Sequence, residues 1–443
     1  MKKAAFISAL LICSLTASIN SYALSLKQSF ELAQNDDPEI LAAKAQYDAA
    51  AEAIPQAKAA LLPNLKLDVF SGNGEQSNIN TSGSFFTTPG DSDVDNQGYK
   101  LTLTQTLYNH QHYKLLDQAK ASVAQAAAHY SAQQQALLVR VADRYFKVLA
   151  AQDSLNFAQA EKKAVDKQLI QTKKRFEVGL IAITDVREAQ AQYDITAAQE
   201  IAAENQLATS KEALQVLINQ SVDKLSALPE EIPLEIPAPN DIQQWSETAQ
   251  QQNLAIQAAT YALEAAQAGH HASRSGHYPN LSLQATQSNT DFDSGPLAGE
   301  TEDTTISINL SIPLYSGGST SSKQRQAGFK LQQAQSELVL QKRLARQQTR
   351  SAFLGLNAAI ASVKALKQAL ISSQTAVQAT SAGFEVGTRT SVDVLNSLRN
   401  QYRSEKDYAQ TRYDYLLNML KLKQAAGILK HEDLLIIDRW LSQ

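Results

Sequence analysis

The side chains best placed to do chemistry in this sequence are six histidines in two groups and two aspartates set alike after two Val-Gly turns. The histidines are His110, His112 and His129, then His270, His271 and His277. A metal centre needs Cys, His or carboxylates at ligand spacing. Here the one cysteine is Cys13 and the histidine spacing forms no recognised site, so these residues read as surface or barrel-rim histidines. Ser316-Gly317-Gly318-Ser319 lacks the Gly-Lys-Ser/Thr that completes a phosphate loop and reads as a strand-to-helix turn. There is no nucleophile elbow, no HExxH and no dinucleotide fingerprint, so neither an enzymatic reaction nor a cofactor is expected. What remains is charge at two turns: Asp185 after Val178-Gly179-Leu180, and Asp393 after Val386-Gly387-Thr388, with Arg389 between. Such groups recognise and hold; they do not make or break bonds.

Those turns recur because the chain is written twice. Leu62-Pro63-Asn64-Leu65 returns as Tyr278-Pro279-Asn280-Leu281, 216 residues on. The segment Leu101–Tyr108 matches Ile308–Tyr315 after 207, and Phe176-Glu177-Val178-Gly179 matches Phe384-Glu385-Val386-Gly387 after 208. Three collinear matches indicate an internal repeat. Each half reads helix, strand, loop, strand, long helix, tight turn, returning helix. Pro229, Pro233, Pro237 and Pro239 join the halves as an extended connector. The expected organisation is a signal peptide at 1–23, a first repeat at 24–228, the connector at 229–243, a second repeat at 244–427 and a C-terminal segment at 428–443.

The helices that must carry the turns are long. From Asn109 to Val178 there are 70 residues without Gly or Pro, roughly 105 Å of helix at 1.5 Å per residue. Leu116, Val123, Tyr130 and Leu137 recur every seven residues with Ala119 and Ala126 between them, a coiled-coil spacing with small side chains. Gly179 is expected to end this helix in a left-handed cap, and Thr184 to cap the returning one with Asp185 in its first turn. The second half predicts a helix from about Ser319 to Ala382, then Gly387, then a new start at Ser391 with Asp393 in its first turn.

The strands alternate. Leu65, Leu67 and Val69 flank Lys66 and Asp68; Leu101, Leu103 and Leu107 alternate with threonines; Leu281, Leu283 and Ala285 and then Ile306, Ile308, Leu310 and Ile312 repeat the pattern. An apolar outer face with a polar inner one is the transmembrane β-barrel signature, although a soluble half-buried sheet alternates too. Tyr99, Tyr108, Tyr278 and Tyr315 lie where an aromatic girdle would sit against outer-membrane lipid. The polar stretches Gly72 to Gly98 and Thr290 to Asp303 are expected to be external loops.

The compartment follows from the first residues. Lys2 and Lys3 precede an apolar run from Ala4 to Leu15, and Ser21-Tyr22-Ala23 fits signal peptidase. Ile12 is too bulky for a lipoprotein site at Cys13. Cleavage removes two lysines and no acid, so the net charge moves from −4 to −6, and no basic footprint for nucleic acid is present. Beyond the signal, no apolar run reaches the ~18–20 residues of a spanning helix, so only a closed barrel could hold the chain in a membrane. Four strands cannot close one, because the smallest have about eight. Two, three or four copies would give eight, twelve or sixteen strands in a cyclic homo-oligomer. A periplasmic coiled-coil tether would use the same helices but has no need of the strands.

At this point the residues resemble a known family. Arg175–Val186, Val386–Leu395 and Arg412–Asn418 are similar to segments of the TolC family of outer-membrane exit ducts, over nearly the whole mature length. The resemblance implies a homotrimer with a shared twelve-stranded β-barrel and a helical barrel that tapers shut in the periplasm of a Gram-negative cell. It implies passive export of drugs, other small molecules and proteins, in multidrug efflux and type I secretion. Partners would be a periplasmic adaptor and an inner-membrane RND or ABC transporter. In the implied gate, Arg389 ties one hairpin to its neighbour at Thr184 and Asp185. At Phe384 the family's best-known member carries a tyrosine bonded to the acid matching Asp185, so the gate is expected to be held more weakly here. Asp393 matches a carboxylate on the pore axis, where three copies would attract cations and raise each other's pKa. Asn396 replaces a second acid, which leaves one acidic ring. Val178, Gly179, Leu180, Val386, Gly387 and Thr388 match the turns that meet the adaptor. A phage or colicin receptor role through the loops is compatible with export.

Overall fold

The computed structural model describes residues 23–76, 92–293 and 299–441. The signal-peptide reading therefore lies, except for Ala23, outside the described residues. In chain order the elements are α1 (Leu26–Asp36), α2 (Pro38–Ala51), α3 (Ala53–Ala59), β1 (Asn64–Gln76), β2 (Ser92–Asn109), α4 (His110–Glu177) and α5 (Ile183–Ile218). Then come α6 (Ile242–Gln252), α7 (Leu254–Arg274), β3 (Asn280–Asp293), β4 (Gly299–Ser311), α8 (Ser319–Glu385), α9 (Ser391–Ala425) and α10 (His431–Leu441). The order helix, strand, strand, long helix, returning helix thus occurs twice. No described helix is long and apolar enough to cross a membrane.

α4 and α8 hold 68 and 67 residues, about 100 Å each. They form two full-length columns. α2 and α3 lie against the strand-proximal half of α4, and α5 against its far half; α7 and α9 divide the space between α4 and α8 in the same way. Leu137 and Ala119 are buried along α4, and Leu116, Val123 and Tyr130 are half-buried, so the heptad positions do meet neighbouring helices.

The main core sits at the waist of these columns. Leu137–Ala150 of α4 and Phe353–Val363 of α8 pack there with Trp245, Tyr415, Leu416, Leu434 and Ile437. The segment at Leu24 is built into it: Leu24 N–H donates to Lys224 O (2.9 Å), and Ser226 N–H donates to Leu24 O (3.2 Å). The fully buried Tyr145 hydroxyl lies 3.0 Å from both Leu24 O and Ser226 O. The proline-rich connector has no ladder to satisfy its backbone, so side chains do so. Arg412 Nη1 donates to Pro229 O (2.7 Å) and Glu230 O (3.0 Å), Trp245 Nε1 donates to Pro239 O (2.7 Å), and Glu235 N–H donates to the Tyr415 hydroxyl (2.8 Å).

The sheet is antiparallel in the order β1-β2-β3-β4, with β2 pairing β3 to join the two halves. Its register sets Leu65, Leu67 and Val69 opposite Leu103, Leu101 and Tyr99, and Ala285, Leu283 and Leu281 opposite Ile306, Ile308 and Leu310. These apolar side chains share one face, which Gln105, Gln287 and Asn289 interrupt along the β2-β3 seam. Val69 and Ile306 on it are 75% and 73% exposed. Lys66, Asp68, Lys100, Thr102, Gln284 and Thr305 occupy the other face. A bulge between Thr106 and Tyr108 returns Tyr108 to the apolar side, opposite Leu281.

Two expectations require correction. The stretches from Gly72 to Gln76, Ser92 to Gly98, Thr290 to Asp293 and Gly299 to Asp303 are strand, not loop. Pairing needs only backbone groups, so the ladder continues after the apolar side chains end. Residues 77–91 and 294–298, the remainder of the expected loops, lie outside the described residues. Tyr99 stands well inside β2 at the far border of the apolar band, while Tyr108, Tyr278 and Tyr315 gather at the helical end.

Replacing Tyr145 with Phe leaves Ser226 O without that hydroxyl and is expected to cost about 1–3 kcal/mol. The check is the guanidinium midpoint of the helical circular-dichroism signal; an unchanged midpoint would show that the hydroxyl does not hold the waist.

Candidate functional site

At the ends of the two helical hairpins, α4–α5 and α8–α9, the chain reverses through one motif used twice. Gly179 (φ +75°) and Gly387 (φ +80°) adopt the left-handed conformation that side chains resist. Gly179 N–H donates to Phe176 O and Leu180 N–H to Arg175 O, both at 2.9 Å; Gly387 N–H donates to Phe384 O (3.2 Å) and Thr388 N–H to Gly383 O (2.8 Å). These are paired Schellman bonds that close the last carbonyls of α4 and α8. Val178, Leu180 and Val386 project from the turns at 70, 71 and 75% exposure.

The returning helices start differently. α9 opens with a complete capping box: Asp393 N–H donates to Thr390 Oγ1 (3.2 Å), while Asp393 Oδ2 accepts from Thr390 N–H (3.0 Å) and Thr390 Oγ1 (2.9 Å). The Thr390 amide, its hydroxyl and the positive Arg389 hold the Asp393 carboxyl below the usual carboxylate range. Within one chain this opposes the rise expected from an axial ring. Its sign is that the cap is intact above the ordinary carboxylate range and is lost as pH falls through the lowered value. α5 has no such cap. Ala182, not Thr184, holds the N-cap position and makes no side-chain bond; Thr184 lies inside the first turn, because the helix begins two residues earlier than its hydroxyl could serve. The Thr184 and Asp185 side chains have no hydrogen-bond partner among the described residues, and neither does the exposed Arg389 guanidinium. The structure thus does not bring Arg389 onto Thr184 and Asp185 within a chain. Asn396 accepts from Arg399 Nη2 at 3.2 Å.

What ties the two tips together within a chain is Arg175, whose role the sequence reading missed. Its Nη1 donates to Phe384 O (2.8 Å) and its Nη2 to Glu385 O (3.3 Å), and its guanidinium lies 4.2 Å from the centre of the Phe384 ring. Phe384 is buried. A cation on the last carbonyls of α8 also complements the helix dipole. One turn deeper, Thr172 and Ser391 hydroxyls meet at 2.9 Å and Gln168 Nε2 donates to Ser391 Oγ (3.2 Å), all three side chains buried. Val165, Leu169, Ala189 and Leu395 pack beside them.

The structure thus combines a four-stranded sheet, with β1 and β4 unpaired at its edges among the described residues, and twin hairpins joined tip to tip. A family model described as "Outer membrane efflux protein" matches residues 30–220 and 245–428. The chain belongs to the outer membrane efflux protein family. It is 39% identical to outer membrane protein TolC of Vibrio cholerae over 96% of both chains. It is 27% identical to the alkaline protease secretion protein AprF of Pseudomonas aeruginosa, over 94% of this chain and 87% of that one. Among solved structures, the outer membrane protein VceC of Vibrio cholerae superposes with a TM-score of 0.76 at 20% identity, over 91% of this chain and 96% of that one. This family member is accordingly an outer-membrane protein of efflux and secretion with a TolC-like channel fold. Among the described residues no group of His, Cys, Asp or Glu is arranged to hold a metal.

Replacing Arg175 with Ala removes two charge-assisted bonds, each worth about 1.5–3 kcal/mol. Amide exchange of Thr388 and Arg389 is expected to accelerate while that of the waist stays unchanged. Equal exchange in both proteins would show that Arg175 does not join the tips.

Proposed function

We propose that three copies close their sheets into one twelve-stranded barrel and that the helices prolong its bore across the periplasm as a passive, non-catalytic conduit. The observation that carries this reading is the four-stranded sheet, largely apolar on one exposed face, whose β1 and β4 edges have no partner among the described residues. In lipid each unpaired backbone group costs several kcal/mol, and four strands fall short of any closed membrane barrel. The two matching runs of elements support a division into first repeat, connector, second repeat and C-terminal segment.

The gate reading rests on complementary vacancies. Among the described residues the Arg389 guanidinium on the second tip makes no hydrogen bond, though its charge acts on Asp393, and the Thr184 and Asp185 side chains on the first tip make none. Arg389 of one subunit meeting Thr184 and Asp185 of the next would satisfy both, and threefold repetition would place a set of charge-assisted bonds around the pore. Arg175 holds the tips of one chain together where Phe384 cannot offer a hydroxyl. The Asp393 carboxylates face the axis as a single acidic ring, with Asn396 neutral beyond it. Val178, Leu180 and Val386, exposed beside glycines that let a backbone approach, form the docking surface for a periplasmic adaptor, which links the conduit to an energised RND or ABC transporter. Tyr99 on one border and Tyr108, Tyr278 and Tyr315 on the other mark the lipid interfaces.

Replacing Arg389 with Ser is expected to raise the resting conductance of the purified protein in a planar bilayer several-fold; unchanged conductance removes Arg389 from the lock. Asp393→Asn keeps an acceptor for the cap and removes the charge. It is expected to relieve block by multivalent cations added from the helical side, and persistent block would place the acidic ring elsewhere. A native molecular mass in detergent equal to one chain would overturn the conduit itself.

A further inference from the structure

The polar face of the sheet, which lines the bore in the trimeric barrel, carries two large apolar side chains that the gate and wall do not use. Phe70 on β1 and Phe292 on β3 lie on the same face as Lys66, Asp68, Lys100 and Thr102, opposite to the lipid-facing Leu65, Leu67 and Val69. Each faces a glycine on the next strand: Phe70 pairs with Gly98, and Phe292 with Gly299. The rings lie over those glycines. Phe70 Cζ stands 3.0 Å from where a Cβ on Gly98 would be, and Phe292 Cζ stands 3.2 Å from the equivalent point on Gly299. The wall is thus shaped to seat two rings, and Phe70 remains 38% exposed on the side away from it.

Their height in the barrel is also set by register. Phe70 and Gly98 are level with Thr290, and Phe292 stands one step farther along the same face. This is where the other face of β1 and β2 turns from Val69 and Tyr99 to Ser71 and Gln97; on β3 and β4 that face is polar from Gln287 and Thr304 onward, one step nearer the helices. The surrounding end of the sheet carries Glu75, Asp95, Asp291, Asp293, Glu300 and Glu302 on the face opposite to the rings, while on the rings' own face Lys100, opposite Asp68, stands one step nearer the helices than Gly98.

We propose that Phe70 and Phe292, six rings in the trimer, form an aromatic collar at the outer mouth that retards and orders planar aromatic cations as they leave. The proposal rests on the trimeric barrel reading. Ring faces attract cations and stack with flat aromatic solutes.

The test is single-channel recording of the purified full-length protein in potassium chloride, with ethidium or tetraethylammonium added to the mouth side. Ethidium is expected to interrupt the current, and the mean interruption to shorten about tenfold in Phe70→Leu/Phe292→Leu, which keeps the glycines covered but removes the rings. Tetraethylammonium, bulky and without an aromatic face, is the control, and any effect of it is expected to be equal in both proteins. Equal ethidium interruptions in the two proteins, or none in the natural one, would overturn the collar while leaving the conduit standing. An absence of conductance steps in every sample would instead overturn the conduit, and the collar with it. The single replacements are expected to give intermediate durations and serve if the double variant fails to assemble.

Discussion

The constraint on which the rest of this molecule depends is the pairing of backbone groups in lipid. A helix satisfies its own amides, but a strand must borrow partners, and a four-stranded sheet leaves a full row unpaired on each edge. The chain meets this condition internally at three seams, β1-β2, β2-β3 and β3-β4. The β2-β3 seam joins the two halves, so neither half can leave the sheet independently. The two remaining edges set the demand for sister chains. The helical columns follow from the same demand, since each strand hairpin leads directly into a helix that must continue the wall.

At the opposite end the economy is of another kind. Arg175 contributes twice: its carbonyl closes the first turn by accepting from Leu180, and its guanidinium closes the last carbonyls of α8. The tips of one chain therefore behave as a unit, joined near the solvent by Arg175 and deeper by Gln168, Thr172 and Ser391. Among the described residues the Thr184, Asp185 and Arg389 side chains take no part in these bonds.

Much of this was legible in sequence. Alternation at Leu65–Val69 and Ile306–Leu310 gave the strands and their faces, because period-two burial is written in side chains. The turns at Gly179 and Gly387 were legible because a left-handed position selects glycine. Strand ends were not, since Ser71–Gln76 and Ser92–Gln97 pair through the backbone with polar side chains that carry no period. The cap expected at Thr184 lies two residues earlier, at Ala182, a distance that hydrogen bonding decides and residue type does not. Arg175 was visible only as part of a familiar segment. Its partners lie 209 and 210 residues away, and no local pattern announces a cation aimed at another helix's carbonyls.

The difference between the two hairpin tips is the last consequence of writing the chain twice. Both copies keep the glycine, the Schellman bonds and an acid in the first turn of the returning helix. Only the second adds Thr390 at the cap, and that one residue changes what its acid can do. Asp393 is engaged by Thr390 and held ionised, a fixed charge on a rigid helix start. Asp185, with alanine at the equivalent cap, makes no side-chain hydrogen bond among the described residues. A repeat supplies two equivalent positions, and a single side chain at the cap engages the acid of one and leaves the acid of the other without that bond.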